Sequence, residues 1–186
     1  MMRRGVFAIC AMLLVTGCAS VSREECLAGD WVAIGARDGA AGRVGEVQFD
    51  RHQRACARVD VTPDRTAWAQ GYAGGLGQYC TARVGLREGE AGRPYRGVCP
   101  TASEAAFLRG HDLGRSAWQQ QQRINALEQE VNALARASAG LGDDEAARRQ
   151  WAANQAEASI LRLQILAAQT ELARIRREIR AFRATL

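Results

Sequence analysis

The 186-residue chain contains no lysine, and all 25 of its basic residues are arginine. A GC-rich genome accounts for that bias, and for the abundance of alanine, more simply than selection for bidentate arginine chemistry does. Histidine is nearly missing as well, with only His52 and His111. No G-x-S-x-G, H-E-x-x-H, Walker-type or Rossmann signature occurs, so the motifs of serine hydrolases, zinc proteases and nucleotide-binding proteins are all lacking. Zinc-type C-x-x-C spacings are missing too. These absences predict a non-enzymatic protein with no catalytic residue, no metal and no cofactor. No apolar run reaches the roughly 20 residues that a spanning helix requires.

The N-terminus is the most informative stretch that is present. Met1-Met2-Arg3-Arg4 forms a short basic region, and Gly5 to Leu14 an apolar region of signal-peptide length. Leu13-Leu14-Val15-Thr16-Gly17-Cys18 then resembles the bacterial lipobox, which predicts cleavage after residue 17 and lipidation of Cys18. Ala19 resembles the non-aspartate signal that directs lipoproteins to the outer membrane, so the expected location is the cell envelope, lipid-anchored and facing the periplasm. Arg3 and Arg4 leave with the signal, and the formal charge falls from +5 to +3. That surplus is too small to predict a nucleic-acid partner.

Four cysteines remain in the mature chain once Cys10 and Cys18 are set aside: Cys26, Cys56, Cys80 and Cys99. An even number in an oxidising compartment predicts two disulfides, with three connectivities open. His52 and Cys56 stand one helical turn apart, which leaves a metal site as the competing reading.

Glycine gathers between Gly29 and Gly114 as G-x-x-x-G pairs: Gly35/Gly39, Gly71/Gly75, Gly85/Gly89 and Gly110/Gly114. Two pairs extend by one further glycine, at Gly42 and Gly92, and spacings of four and seven share one helical face. Asp30, Thr62 before Pro63, Thr81, and Thr101 with Glu104 are start signals for helices over roughly 31–41, 63–79, 82–91 and from about 102. Another helix is expected at 49–59. A mid-helix glycine costs about 1 kcal/mol against alanine, so the pairs need an offset. Close backbone packing, two disulfides at about 2–4 kcal/mol each, and the aromatic residues Trp31, Phe49, Trp68, Tyr72, Tyr79 and Phe107 can supply it.

These residues carry a resemblance. Cys26 with Gly29-Asp30-Trp31, Asp38-Gly39-Ala40-Ala41-Gly42, His52 and Cys56, Tyr79-Cys80-Thr81, and Tyr95-Arg96-Gly97-Val98-Cys99-Pro100 resemble an uncharacterised family of small Gram-negative envelope lipoproteins. The likeness covers roughly residues 24–116. It implies an exported, disulfide-bonded lipoprotein whose domain has no assigned function, and it implies no reaction.

Beyond the glycine-rich region, Trp151, Ala158, Leu161, Ile165, Ala168, Leu172, Ile175, Ile179, Phe182 and Leu186 follow steps of three and four, with Asn154 admitted to the seam. Ile124, Leu127, Val131 and Leu134 do the same upstream, and Gly140 to Asp144 separates the two runs. An antiparallel coiled-coil hairpin is predicted. The fold class is therefore all-α: signal 1–17, lipidated tether 18–25, Cys/Gly-rich helical domain 26–116, and hairpin 117–186, its first arm continuous from about 102. The hairpin predicts a structural or interaction role, through self-association or an envelope partner on residues 151–186. The alternative is a binding module for a small anionic or envelope-derived ligand held by Arg37, Arg43, Arg87, Arg93 and Arg96. Arg174, Arg176, Arg177, Arg180 and Arg183 make the last turns basic, which suits a helix C-terminus and also an anionic surface.

Overall fold

The computed structural model describes residues 20–186, so the expected export signal and Cys18 lie outside the described residues. Within them the chain forms seven α-helices, one short 3-10 segment and no strand. Helix α1 (Arg23–Ala28) opens on a capping box between Ser22 and Glu25 and ends at Gly29, whose φ of 67° an L side chain rarely adopts. Helices α2 (Trp31–Ala40), α3 (Gly45–Cys56) and α4 (Arg65–Tyr79) follow, then α5 (Ala82–Glu90), and finally two 39-residue helices, α6 (Thr101–Ala139) and α7 (Glu145–Arg183). Asp30, Asp64, Thr81 and Asp144 each accept an amide hydrogen bond in the first turn of the helix they cap.

Three local expectations are corrected. Helix α3 begins at Gly45 rather than Phe49 and stops at Cys56, where residues 57–59 tighten into the 3-10 segment. Asp64, not Thr62, caps α4, because its carboxylate accepts from the Ala67 amide and leaves Pro63 buried just outside the helix. Thr101 is the first residue of α6 rather than its cap, and Glu104 is drawn instead to the Tyr95 hydroxyl at 2.8 Å.

The architecture is built from two helix crossings, α2 on α4 and α5 on α6. Gly35 and Gly39 of α2 meet Gly71 and Gly75 of α4 with no side chain between the backbones. A Cβ on Gly35 would overlap the Trp68 carbonyl and lie 2.8 Å from the Tyr72 amide nitrogen. Gly85 and Gly89 of α5 meet Gly110 and Gly114 of α6 in the same way, and a Cβ on Gly110 would lie 2.8 Å from the Leu86 amide nitrogen. All four pairs seen in the sequence are thus used for close approach.

The two crossings are copies of one unit. Both α2 and α5 end with the same three backbone bonds: Ala41 to Arg37, Gly42 to Gly39 and Arg43 to Asp38 in the first, and Ala91 to Arg87, Gly92 to Gly89 and Arg93 to Glu88 in the second. Gly42 and Gly92 have φ of 60° and 70°. A Cβ on Gly42 would enter the Tyr79 ring, and one on Gly92 would enter the Trp118 ring. Tyr72 and His111, each one residue beyond the first glycine of its second helix, bond the carbonyls of Arg43 and Arg93 at 2.6 and 2.8 Å.

Two disulfides hold these parts together, Cys26–Cys56 and Cys80–Cys99, each with a Cα–Cα separation of 5.5 Å. The first ties α1 to the end of α3, and the second ties the end of α4 to the start of α6. Tyr79 stacks on Phe107 at 5.2 Å and joins the two units.

Helices α6 and α7 form the hairpin. Asn154, Ala158, Leu161, Ala168, Leu172, Ile175 and Ile179 are buried, in steps of three, four and seven. Asn154 donates to Ser138 Oγ at 3.0 Å and Gln120 donates to the Ala168 carbonyl at 3.1 Å, so these bonds set the antiparallel register. That register places Trp151 level with the Gly140–Leu141 turn, where α6 has already ended. Trp151 is consequently 52 % exposed, and Leu186, beyond the end of α7, is 41 % exposed, so neither belongs to the seam. At the base, Ile175 and Ile179 return onto Leu86, and Arg183 pairs with Glu90 at 2.7 Å.

The glycines of α4 separate packing from propensity. Gly71→Ala should destabilise the protein by about 3 kcal/mol or more, since overpacking between backbones cannot relax by side-chain rotation. Gly74→Ala, with nothing within 4 Å of its Cβ position, should instead stabilise by about 0.5–1 kcal/mol. Denaturant unfolding of the two variants checks both signs.

Candidate functional site

Helix α3 lies against the first crossing and carries His52 into its centre, among Trp31, Phe49 and Trp68. The His52 ring is wholly buried, as is Asp38 on α2 at 1 % exposure. His52 Nε2 lies 2.6 Å from Asp38 Oδ2, and the Trp68 indole donates to the same oxygen at 3.0 Å. On the other side of the ring, His52 Nδ1 is 2.9 Å from Ser20 Oγ. With Nε2 donating to the carboxylate, a neutral ring accepts from the Ser20 hydroxyl, so one line of hydrogen bonds runs from the N-terminal segment to α2 and α4. The order serine, histidine, carboxylate is that of a nucleophile relay. Burial of both ring and carboxylate closes those atoms to a substrate, and the geometry is that of a latch on the segment just before α1. Cys56, which paired with His52 in the competing metal reading, is bonded to Cys26.

The latch has an electrostatic consequence for Arg43. Glu88 holds the position in the second unit that Asp38 holds in the first, and it binds Arg93 through two bonds of 2.6 and 2.9 Å. Asp38 is occupied by His52 and Trp68 instead, and Arg43 Nε only approaches its Oδ1, at 3.7 Å. Asp38 and Glu88 do not pair with each other, because each carboxylate serves its own unit.

The five arginines expected to hold a ligand do not converge. Arg37 pairs with Glu25, while Arg87 and Arg93 lie on Glu88. Arg43 and Arg96 do share a cleft, of about 520 Å³, and there they are joined by Arg51, Val44, Val47 and Gln48. Arg51 stood outside the sequence reading, yet its position one turn beyond Val47 on the same helix face was a usable signal. His111, the other buried histidine, stacks on Phe107 and bonds the Arg93 carbonyl. In the basic tail, Arg174 is engaged by Glu171 and Glu178 and Arg183 by Glu90. Two of the five tail arginines are therefore met by acids within the chain.

Residues 30–116 match a family model described as "Protein of unknown function (DUF2799)". No curated protein matches the chain, and no solved structure does. The matched stretch contains both glycine crossings, the His52–Asp38 latch and the Arg43 cleft, and it ends just past Gly114, before α6 enters the hairpin. Over that stretch the chain is similar to an uncharacterised family.

Removing one member of a buried hydrogen-bonded pair costs about 3–5 kcal/mol, so Asp38→Ala should approach that loss in denaturant unfolding, whereas Arg37→Ala, an exposed pair, should cost under about 1 kcal/mol. Arg93 holds the Glu88 carboxyl below its ordinary range. The stability it contributes is present above that range and is lost as pH falls through the lowered value. Glu88→Gln should therefore be less stable at neutral pH, by about 1 kcal/mol or less, and the gap should close below pH 4.5. Unfolding curves between neutral and acid pH read this directly.

Proposed function

We propose that the chain is a cell-envelope lipoprotein, anchored through Cys18, whose α6–α7 hairpin is a structural or interaction arm reaching into the periplasm. The observation that carries this reading is an uncovered apolar row on α7. Ile160, Leu163 and Leu166 are 58, 67 and 59 % exposed, on the side of the helix away from the face buried on α6. The inner face is already filled by the hairpin itself, with Ala158 and Leu161 buried. Three large aliphatic side chains in neighbouring turns are costly to leave in water, and a helix laid along them would complete a coiled-coil packing.

The arm is long enough for such a role, since 39 helical residues span about 58 Å. Its base is held by Leu86 and the Arg183–Glu90 pair, so the outer row is presented from a fixed origin. The signal-like N-terminus and the two disulfides support an exported location.

Photoreactive groups at positions 160, 163 and 166 of the lipidated protein in intact cells test the reading. Homotypic crosslinks define a self-assembling scaffold, and one recurrent envelope partner defines an adaptor. Leu163→Glu with Leu166→Glu should abolish either product while changing unfolding stability by less than about 0.5 kcal/mol, as exposed substitutions do. No crosslink at any of the three positions overturns the interaction role.

A further inference from the structure

We propose that the cleft over the start of α3 binds the phosphate of an anionic phospholipid headgroup in the membrane that holds the chain. Such a site lies beyond the hairpin reading and borrows from it only the anchoring at Cys18, which sets the orientation of the cleft and not its chemistry.

The chemistry comes from three arginines in a cleft whose lining holds no acid; the nearest carboxylate, Asp38, is buried with its Oδ1 3.7 Å from Arg43 Nε. Arg43, Arg51 and Arg96 line the cleft, together with Val44, Val47 and Gln48. Glu46, the acid next to this wall, is held by Arg65 through both carboxylate oxygens at 2.6 Å. Guanidinium groups bind phosphate through paired donors, and three of them around one cleft match a single phosphodiester charge with donors to spare. The volume of about 520 Å³ is ample for a headgroup.

The duplicated unit shows why Arg43 is available. At the equivalent position Arg93 is neutralised by Glu88. In the first unit the carboxylate is turned inward onto His52 and Trp68, so the guanidinium of Arg43 keeps most of its donors for the cleft. The buried latch and the basic cleft are thus two results of one difference between the repeats.

Two further observations select a lipid over a free anion. Val44 and Val47 are 39 and 48 % exposed beside the arginines. Apolar side chains among cations suit the boundary between headgroup and acyl chain, whereas a free phosphate has no use for them. The cleft also adjoins the tether: Gln48 in its wall lies 3.4 Å from His52, and His52 is bonded to Ser20. Ser20 is two residues from Cys18, a reach of at most about 7 Å. An acylated Cys18 would bring this corner of the molecule to the bilayer surface.

The test uses the full chain and two probes. Acylated protein is reconstituted in phosphatidylethanolamine vesicles with or without phosphatidylglycerol, and hydrogen exchange is followed over residues 43–51. The unanchored probe is short-chain phosphatidylglycerol below its micelle threshold, titrated against inorganic phosphate, with arginine Nε–H resonances as the readout. Protection that requires phosphatidylglycerol, and Nε–H shifts with the short-chain lipid at concentrations where phosphate is inert, are expected. Both should weaken with salt. Arg51→Gln with Arg96→Gln should weaken short-chain lipid binding by about thirtyfold, the corresponding lysine pair should recover part of it, and Arg176→Gln with Arg177→Gln should leave it unchanged. Equal response to phosphate and lipid overturns the headgroup assignment, and no response in wild type overturns the site. Intact mass reports acylation separately, so a missing anchor is not mistaken for an empty cleft.

Discussion

Backbone-to-backbone contact between glycines is the constraint on which the molecule depends. In both crossings the helices approach until a carbonyl of one occupies the space a Cβ of the other would need, and no side chain but hydrogen is compatible with that. The distance sets everything above it. With the axes so close, Tyr79 and Trp118 can lie across Gly42 and Gly92, and Tyr72 and His111 can reach the carbonyls that end α2 and α5. Helices α2, α4 and α5 are short and glycine-rich, so their own propensity is weak, and closure by the Cys26–Cys56 and Cys80–Cys99 bridges compensates by restricting the unfolded chain.

Duplication of this unit lets one copy serve as the reference for the other. The second copy keeps the plain arrangement, in which an acid on the first helix binds the arginine after the turn. The first copy adds α3, and with it His52, and the same acid position is redirected into the interior. Burial of a carboxylate is tolerable there because His52 and Trp68 both donate to it. Arg43 then keeps only a 3.7 Å approach to Asp38 and joins a basic cleft. A single buried histidine has therefore rearranged charge both inside the unit and on its surface.

The hairpin follows different physics. Its seam is aliphatic and alanine-rich, its register is fixed by Asn154–Ser138 and Gln120–Ala168, and it leans on α5 only at its base. A long two-helix arm buries one stripe of each helix, and α7 retains a second stripe. The rigid glycine-packed body and the hairpin with its uncovered row are consequently distinct in composition as well as in packing.

Much of the local structure was legible in the sequence because it depends on short spacings. Glycines four apart marked the crossing faces, Asp30 and Thr81 marked helix starts, and steps of three and four marked the hairpin seam. Where local signals competed, as at Thr62 against Asp64, proximity of a carboxylate to the third amide decided, and the sequence alone did not rank them. Long-range pairing was illegible in principle. Which cysteines join, that Ser20 reaches His52 across 32 positions, that Glu88 binds its arginine closely while Asp38 holds its own only at 3.7 Å, and that Arg43, Arg51 and Arg96 line one cleft, all follow from how the helices cross. Sequence by itself determined which stretches are helical and which face of each is apolar or small, since those are periodicities of three and four. Tertiary structure alone decided which faces meet, because that choice rests on backbone separation and register between segments far apart in the chain.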